Sequence, residues 1–197
     1  MAGDELFNYP TFVRSIVDAL EAANVEYMIG GGLAVWAWGQ ARTTEDLDVA
    51  IYLPDMQIER FSQELLQRGI AMPPDIIRDL IADTRSDLPI NAIHGYSGFK
   101  ADLYPVREND TFRAIALSRK QEVDIEPDFG RVYVHSPEDL ILYKLQYYPI
   151  SRQTKHVRDI HSILARVKIL DMTYIEEWAE YFDVLAIWRD IQASAPK

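Results

Sequence analysis

The sequence predicts an α/β protein of the α+β kind, a mixed β-sheet flanked by helices and followed by a mainly helical C-terminal region. Three observations predict it. Through residues 11–134, segments with helical apolar spacing alternate with short apolar or β-branched runs. A glycine triplet, Gly30, Gly31 and Gly32, joins one such run to a second that opens on two alternating acids, Asp46 and Asp48. From Ser136 onward only helical periodicity remains. With 197 residues and 48% hydrophobic content, the chain is long enough for one sizeable core and a helical appendage, at ~100–200 residues per domain. Residues 1–135 are expected to form one unit and residues 136–197 the helical region.

The elements follow in order. Phe12, Ile16, Val17 and Leu20 predict a helix over 11–23, which Asn24 stops before a strand at 25–29. After the glycines, residues 33–38 allow about two helical turns before Gly39, and a loop at 40–45 leads to a strand at 47–53. Ile58, Phe61, Leu65 and Leu66 mark an amphipathic helix that starts at Pro54 and Asp55 and stops at Gly69. Residues 73–83 form a weaker helical segment, 90–93 and 99–106 a hairpin around a glycine-bearing turn, and 121–125 with 131–134 a second strand pair. Ser136, Pro137, Glu138 and Asp139 supply a cap, a first-turn proline and acids for a helix that Tyr147, Tyr148 and Pro149 are expected to end. The helix at 154–167 carries Val157, Ile160, Ile163, Leu164 and Val167 on one stripe, with Lys155, Arg158, Asp159, Ser162 and Arg166 on the polar side. Thr173 with Glu176 reads as a capping box, and 183–194 as a last helix.

Thirty-one acids against twenty bases give a formal charge of −11. That opposes the phosphate neutralisation that dominates nucleic-acid affinity, so a long nucleic-acid footprint is disfavoured; the same charge also serves solubility. No run approaches the ~18 apolar residues of a membrane span, and the start MAGDELFNYP is acidic, so no signal peptide or membrane partner is expected and the location is expected to be cytoplasmic. The absence of cysteine excludes disulfides, thiolate metal sites and cysteine nucleophiles.

Chemistry concentrates at the paired acids. Strand side chains repeat every second residue, so Asp46 and Asp48 share one face. Two adjacent carboxylates repel and lose hydration unless a cation lies between them, and a divalent metal is the natural candidate. Asp102, in KADLYPV, shares a face with Lys100 and Tyr104. It would serve as a third ligand or as a base, or else as an edge-strand acid paired with Lys100. Tyr27, Trp36 and Trp38 read as core. His94, His135, His156 and His161 are dispersed, and no zinc site is expected.

The stretch GG-LAVWAWG-x2-RTTEDLDVAI resembles the core motif of the DNA polymerase β-like nucleotidyltransferase superfamily, in which a strand leads to a glycine turn, a short helix and a strand bearing Asp-x-Asp. The likeness is closer to small bacterial branches, which include aminoglycoside and lincosamide nucleotidyltransferases and the nucleotidyltransferase toxins of toxin–antitoxin pairs. It covers residues 25–106, with a looser likeness in SPEDLI-x2-KL and in the K-x2-R-D stretch at 155–159.

The resemblance implies a nucleotidyltransferase fold in which residues 1–135 form the catalytic domain and the helical region closes a cleft. It implies an enzyme that transfers a nucleoside monophosphate from a Mg²⁺-bound NTP, ATP first, to an acceptor hydroxyl and releases pyrophosphate. Asp46 and Asp48 would match the metal pair and Asp102 the third acid, in a hard-oxygen pocket with room for two ions ~3.5–4 Å apart. Gly31 and Gly32 would match the phosphate-binding turn ahead of a helix N-terminus. Gly32 stands where many members carry serine, which leaves phosphate to backbone donors. Arg42 would add a bidentate phosphate contact. Lys144 would reach the triphosphate or stand as a solvated helix lysine. Lys155 and Arg158 would grip phosphate, an assignment that an i, i+4 pair of Lys155 with Asp159 explains equally well.

The acceptor is open. A small molecule is favoured, and a cationic aminoglycoside would suit the surplus of acids. A toxin acting on tRNA or protein is the rival enzyme, and a binding or regulatory module without catalysis is the rival outside enzymology. Tyr147, Tyr148, Trp178 and Trp188 would form either a homodimer face or ordinary core.

Overall fold

A computed structural model describes residues 7–44, 46–83, 88–107 and 109–195. The first six residues of the acidic start, and Glu45 at the end of the loop 40–45, lie outside the described residues. Helix α1 (Tyr9–Ala22) begins where the Asn8 side chain accepts the Thr11 N–H, and it buries Phe12, Val13, Ile16, Val17 and Leu20. Asn24 takes a left-handed φ of 54° and turns the chain into β1 (Glu26–Ile29). The glycines start α2 (Gly31–Trp38), which returns to β2 (Asp46–Tyr52), antiparallel to β1. Helices α3 (Asp55–Gln67) and α4 (Pro74–Ala82) then lead to the hairpin β3 (Ile90–Ile93) and β4 (Lys100–Pro105). After α5 (Thr111–Ser118) comes a second hairpin, β5 (Gln121–Asp124) and β6 (Arg131–Val134).

The strands form one six-stranded mixed sheet in the order β3-β4-β2-β1-β6-β5, with β4 parallel to β2 and β6 parallel to β1. This is the sheet the sequence predicts, with β2 and β1 at its centre. The main core unites α1, the sheet, α3 and the C-terminal helices. A smaller cluster of Met28, Ala50, Ala116 and Leu117 seats α5 on the sheet beside the acids. No expectation covered α5. It is capped by Asp110, whose side chain accepts the Arg113 N–H, and its apolar positions Phe112, Ala116 and Leu117 have helical spacing.

The helical region comprises α6 (Pro137–Ser151), α7 (Thr154–Arg166), α8 (Met172–Tyr181) and α9 (Leu185–Ala193). Ser136 caps α6 as the sequence suggests. Three details differ. Helix α6 continues through Pro149, because one missing amide near a C-terminus costs little, and it ends where Arg152 turns left-handed and donates to Tyr148 O at 2.8 Å. Helix α8 is capped by Asp171, which accepts the Tyr174 N–H, so Thr173 is already helical. Asp159 is buried inside α7 instead of lying on a solvated stripe. Trp188 is fully buried, so it belongs to core and not to a dimer face. Among the described residues no helix is long and apolar enough to cross a membrane.

Candidate active site

Parallel pairing of β2 with β4 sets Asp46 opposite Lys100, Asp48 opposite Asp102 and Ala50 opposite Tyr104. The three acids therefore stand on one face of the sheet. Tyr9 Oη and Thr44 Oγ1 both donate to Asp46 O at 3.1 Å and fix the entry of β2. Asp102 is engaged on both oxygens: Asn91 Nδ2 donates to Oδ1 at 2.6 Å, and Lys100 Nζ lies 3.0 Å from Oδ2. Lys100 also approaches Asp46 Oδ1 at 3.7 Å. Strand β4 is an inner strand, yet the pairing of Asp102 with Lys100 is the one its sequence allowed. Among the described residues no group of three or more His, Asp or Glu side chains is drawn together as a metal site.

The glycine turn lies against this face. Gly30 N–H donates to Asp48 O at 2.8 Å. Gly31 has φ +56°, and a Cβ there would fall 1.8 Å from Asp48 Oδ2, so only glycine lets the carboxylate reach the N-terminus of α2. A Cβ on Gly32 would meet Thr44 Oγ1 at 2.7 Å. The unpaired amides at this helix end carry partial positive charge and suit an anion. Trp36 Nε1 donates to Arg42 O at 2.8 Å and Trp38 Nε1 to His135 O at 2.7 Å. These indoles tie the loop and the sheet to α2, a structural role in line with the core reading. Burial pushes the Asp48 carboxyl up to about 6; Lys144 opposes the shift, and Asp102 and Asp46 add to it.

A cavity of about 320 Å³ opens over these groups. Gly31, Asp46 and Asp48 line one wall, Lys144, Lys155 and His156 come from α6 and α7, and Tyr104, Arg113, His135 and Tyr143 also face it. Asp102 and Arg158 are not among its lining residues. Lys144 is buried, unlike a solvated helix lysine, and its Nζ lies 2.9 Å from Asp159 Oδ2. Arg42 grips the same carboxylate with Nε at 2.9 Å and Nη2 at 3.1 Å. Asp159 thus pairs with Arg42 and Lys144, which displaces the expected pairing with Lys155. Burial alone would raise the Asp159 carboxyl, but the hydrogen bonds from Arg42 and the charge of Lys144 hold it below its ordinary value. Burial lowers Lys144 in spite of Asp159. Burial also pushes His135 down to about 3 and His156 down to about 4, so both rings are neutral near pH 7.

Lined by Arg42, Arg113, Lys144 and Lys155 against Asp46 and Asp48, the cavity is not the acidic cleft that the chain's net charge suggested. Sequence reasoning overlooked Arg113 and Tyr143, named Asp159 and Tyr104 without giving either a role in the site, and set His135 and His156 aside. Their signal was faint: Tyr143 lies within SPEDLI-x2-KL and Asp159 within K-x2-R-D.

No family model matches the sequence, and no curated protein does. Solved structures match over most of their length. ANT(2'')-Ia, solved with adenylyl-2''-tobramycin, shares 18% identity at a TM-score of 0.59, covering 88% of this chain and 96% of that one. A nucleotidyltransferase-like protein from Paracoccidioides brasiliensis shares 16% identity at 0.56, covering 93% and 90%. JHP933 from Helicobacter pylori shares 14% at 0.52, covering 95% and 79%. At such identities the likeness is one of fold, and it agrees with the resemblance carried by the glycine turn and the paired acids.

Proposed function

From the premise of a chain with the fold of nucleotidyltransferase structures, we propose that this protein transfers a nucleoside monophosphate from an NTP, ATP first, to a hydroxyl of a small-molecule acceptor. One observation carries the reading: Asp48, the N-terminus of α2 and the buried ammonium of Lys144 line a single cavity. That arrangement offers a cation site and an anion site side by side. The lincosamide adenylyltransferase LnuA, solved with lincomycin, has a comparable fold at 17% identity and a TM-score of 0.50, covering 76% of this chain and 92% of that one. Together with ANT(2'')-Ia it supports adenylyl transfer to a small molecule as the class of reaction, while the acceptor of this chain is its own question.

The donor set fits a hard divalent cation. Asp46 and Asp48 offer carboxylate oxygens alone, and a cation beside Asp48 would offset the burial, and the lesser repulsion from Asp102 and Asp46, that raise its pKa. When bound, Mg²⁺ would neutralise the triphosphate and polarise the phosphorus under attack. The chain's own groups do the rest. Gly31 and Gly32 present backbone N–H groups to phosphate oxygens, and Lys144 balances the charge that builds on the departing pyrophosphate. Asp102 lies off the cavity lining, opposite Asp48 on β4, so it takes the proton of the acceptor hydroxyl through one intervening water and not by direct contact; its carboxylate keeps acceptor lone pairs beyond those used by Asn91 and Lys100. The attacking oxygen forms a bond to the α-phosphorus as the bond to pyrophosphate breaks. Residues 1–135 supply the acids and the glycines, and residues 136–197 close the cavity from the other side.

One observation favours the non-catalytic reading, namely that Lys100 lies within 4 Å of both Asp46 and Asp102 and so supplies part of the positive charge a metal would bring. Calorimetric titration of each NTP with Mg²⁺ decides between them. Metal-dependent binding of one NTP, lost in the Asp46→Asn/Asp48→Asn variant, is the expected outcome. Equal binding by both folded proteins overturns the proposal.

A further inference from the structure

We propose that Asp159 is a positioning residue for the polyphosphate of the substrate: one buried carboxylate sets both Arg42 and Lys144 against the phosphate side of the cavity. The inference rests on the nucleotidyl-transfer reading and adds to it a residue from α7.

Three segments distant in sequence converge here. Arg42 comes from the loop after α2, Lys144 from α6 and Asp159 from α7; Arg42 and Asp159 are 117 positions apart. The Asp159 side chain is 3% exposed. It is absent from the cavity lining, whereas both of its partners line the cavity. It therefore acts through them and does not touch a ligand itself. Its two oxygens receive Arg42 Nε and Nη2 as a fork, and Oδ2 also receives Lys144 Nζ at 2.9 Å. Arg42 Nη1 donates to Thr43 O at 3.2 Å, which fixes the guanidinium plane from its other side.

The charges explain why the carboxylate is needed. Two cations and one anion leave one surplus positive charge at the cavity wall, close enough to Asp48 to act on its carboxyl. The groups that act on Lys144 or feel its charge are Asp48 from β2, Arg42 from the loop, His135 after β6, and His156 and Asp159 from α7, while Lys155 acts on Asp48 and His156. The histidines are neutral, so Asp159 is the counter-charge in hydrogen-bond contact. Without it two neighbouring cations would repel, and a buried ammonium would stand uncompensated, which is strongly unfavourable. Arg42, being half-exposed, would swing toward solvent.

The carboxylate is also rigidly mounted. Helix α7 presses on the C-terminal end of α2: a Cβ on Gly39 would meet Ser162 Oγ at 2.3 Å, and Arg166 Nη1 donates to Gly39 O. Asp159 thus aligns two cations with the same helix whose N-terminus faces the cavity, and such preset charge costs no reorganisation when the ligand arrives.

The test uses the full chain and inorganic tripolyphosphate in EDTA, which reads the cations without any metal, alongside adenosine as an uncharged probe. Wild type should bind tripolyphosphate, Asp159→Asn should bind it tenfold or more weakly, and Asp159→Glu should fall between them, with adenosine binding unchanged in all three. A merely structural role would weaken both probes together and would overturn the proposal. So would tripolyphosphate affinity that is equal or higher in Asp159→Asn, as for a carboxylate that competes with phosphate, and so would a wild type that ignores tripolyphosphate. Should Asp159→Asn fail to fold, the longer Asp159→Glu carries the test, and an affinity equal to wild type in that variant overturns the idea. Mg²⁺-ATP binding in Asp46→Asn/Asp48→Asn reports separately on the nucleotidyl-transfer reading, so failure of either is recognised without the other.

Discussion

Asp48 is the residue where the requirements of folding and of the site oppose each other. Its carboxyl is raised from 3.8 to about 6 in the folded chain. The folded state therefore binds more protons than the unfolded state between about pH 4 and pH 6. The sign follows from linkage: stability falls as pH rises through that window and stays lower above it. Asp48→Asn should therefore be more stable than wild type at pH 7.5 by on the order of 2 kcal/mol, after allowance for partial exposure. The gain should shrink toward pH 4, as read by urea denaturation at both pH values. His135 works in the opposite direction: its pKa is lowered from 6.5 to about 3, so the unfolded chain takes up a proton that the folded chain refuses. Its contribution is lost as pH falls below 6.5. Gly31 has no tolerance for a side chain. Gly31→Ala needs a left-handed alanine, at ~1–2 kcal/mol, and displaces Asp48 Oδ2, so it should lower the melting temperature and abolish Mg²⁺-ATP binding together.

At the scale of elements, the cap of α8 separates what the sequence suggests from what the chain does. Asp171→Ala should cost about 1 kcal/mol in chemical denaturation, and Thr173→Ala close to nothing, because Asp171 and not Thr173 caps the helix by accepting the Tyr174 N–H. Elements governed by local rules were legible. The glycine triplet, the alternating acids and the apolar runs placed β1, α2 and β2 within a residue or two, and Asn24 and Gly69 marked the stops of α1 and α3. Elements governed by distant contacts were not. Helix α6 was legible at its capped start, but its run through Pro149 was not: it is buried from Glu138 through Leu142 and again at Lys144 and Leu145, so it has no polar face to give it a period. Helix α5 is two turns long and stabilised by Met28 and Ala50 on the sheet. The same limit applied to the site. Asp46, Asp48 and the glycines are neighbours in sequence, whereas Asp159 read as one more polar residue on an amphipathic helix, because nothing nearby reveals Arg42 and Lys144.

For the molecule as a whole, the cavity belongs to both halves of the chain. Gly31, Asp46 and Arg113 line it together with Lys144, Lys155 and His156, and Arg42 is bonded to the carboxylate of Asp159. A chain cut after His135 should lose nucleotide binding entirely in calorimetric titration. Retained binding would show the helical region to be an appendage. The convergence of Arg42, Lys144 and Asp159 also bears on how the protein comes into being. A ribosome delivers Asp46 and Asp48 early, while Asp159 follows more than a hundred residues later. Until α7 clears the exit tunnel, Arg42 lacks the carboxylate that orients it and Lys144 lacks its counter-charge, so the nascent chain carries its acids in a half-built state. Nucleotide capture should therefore begin abruptly once α7 has emerged, and it would serve as a reporter that translation has passed the last helices of the cavity.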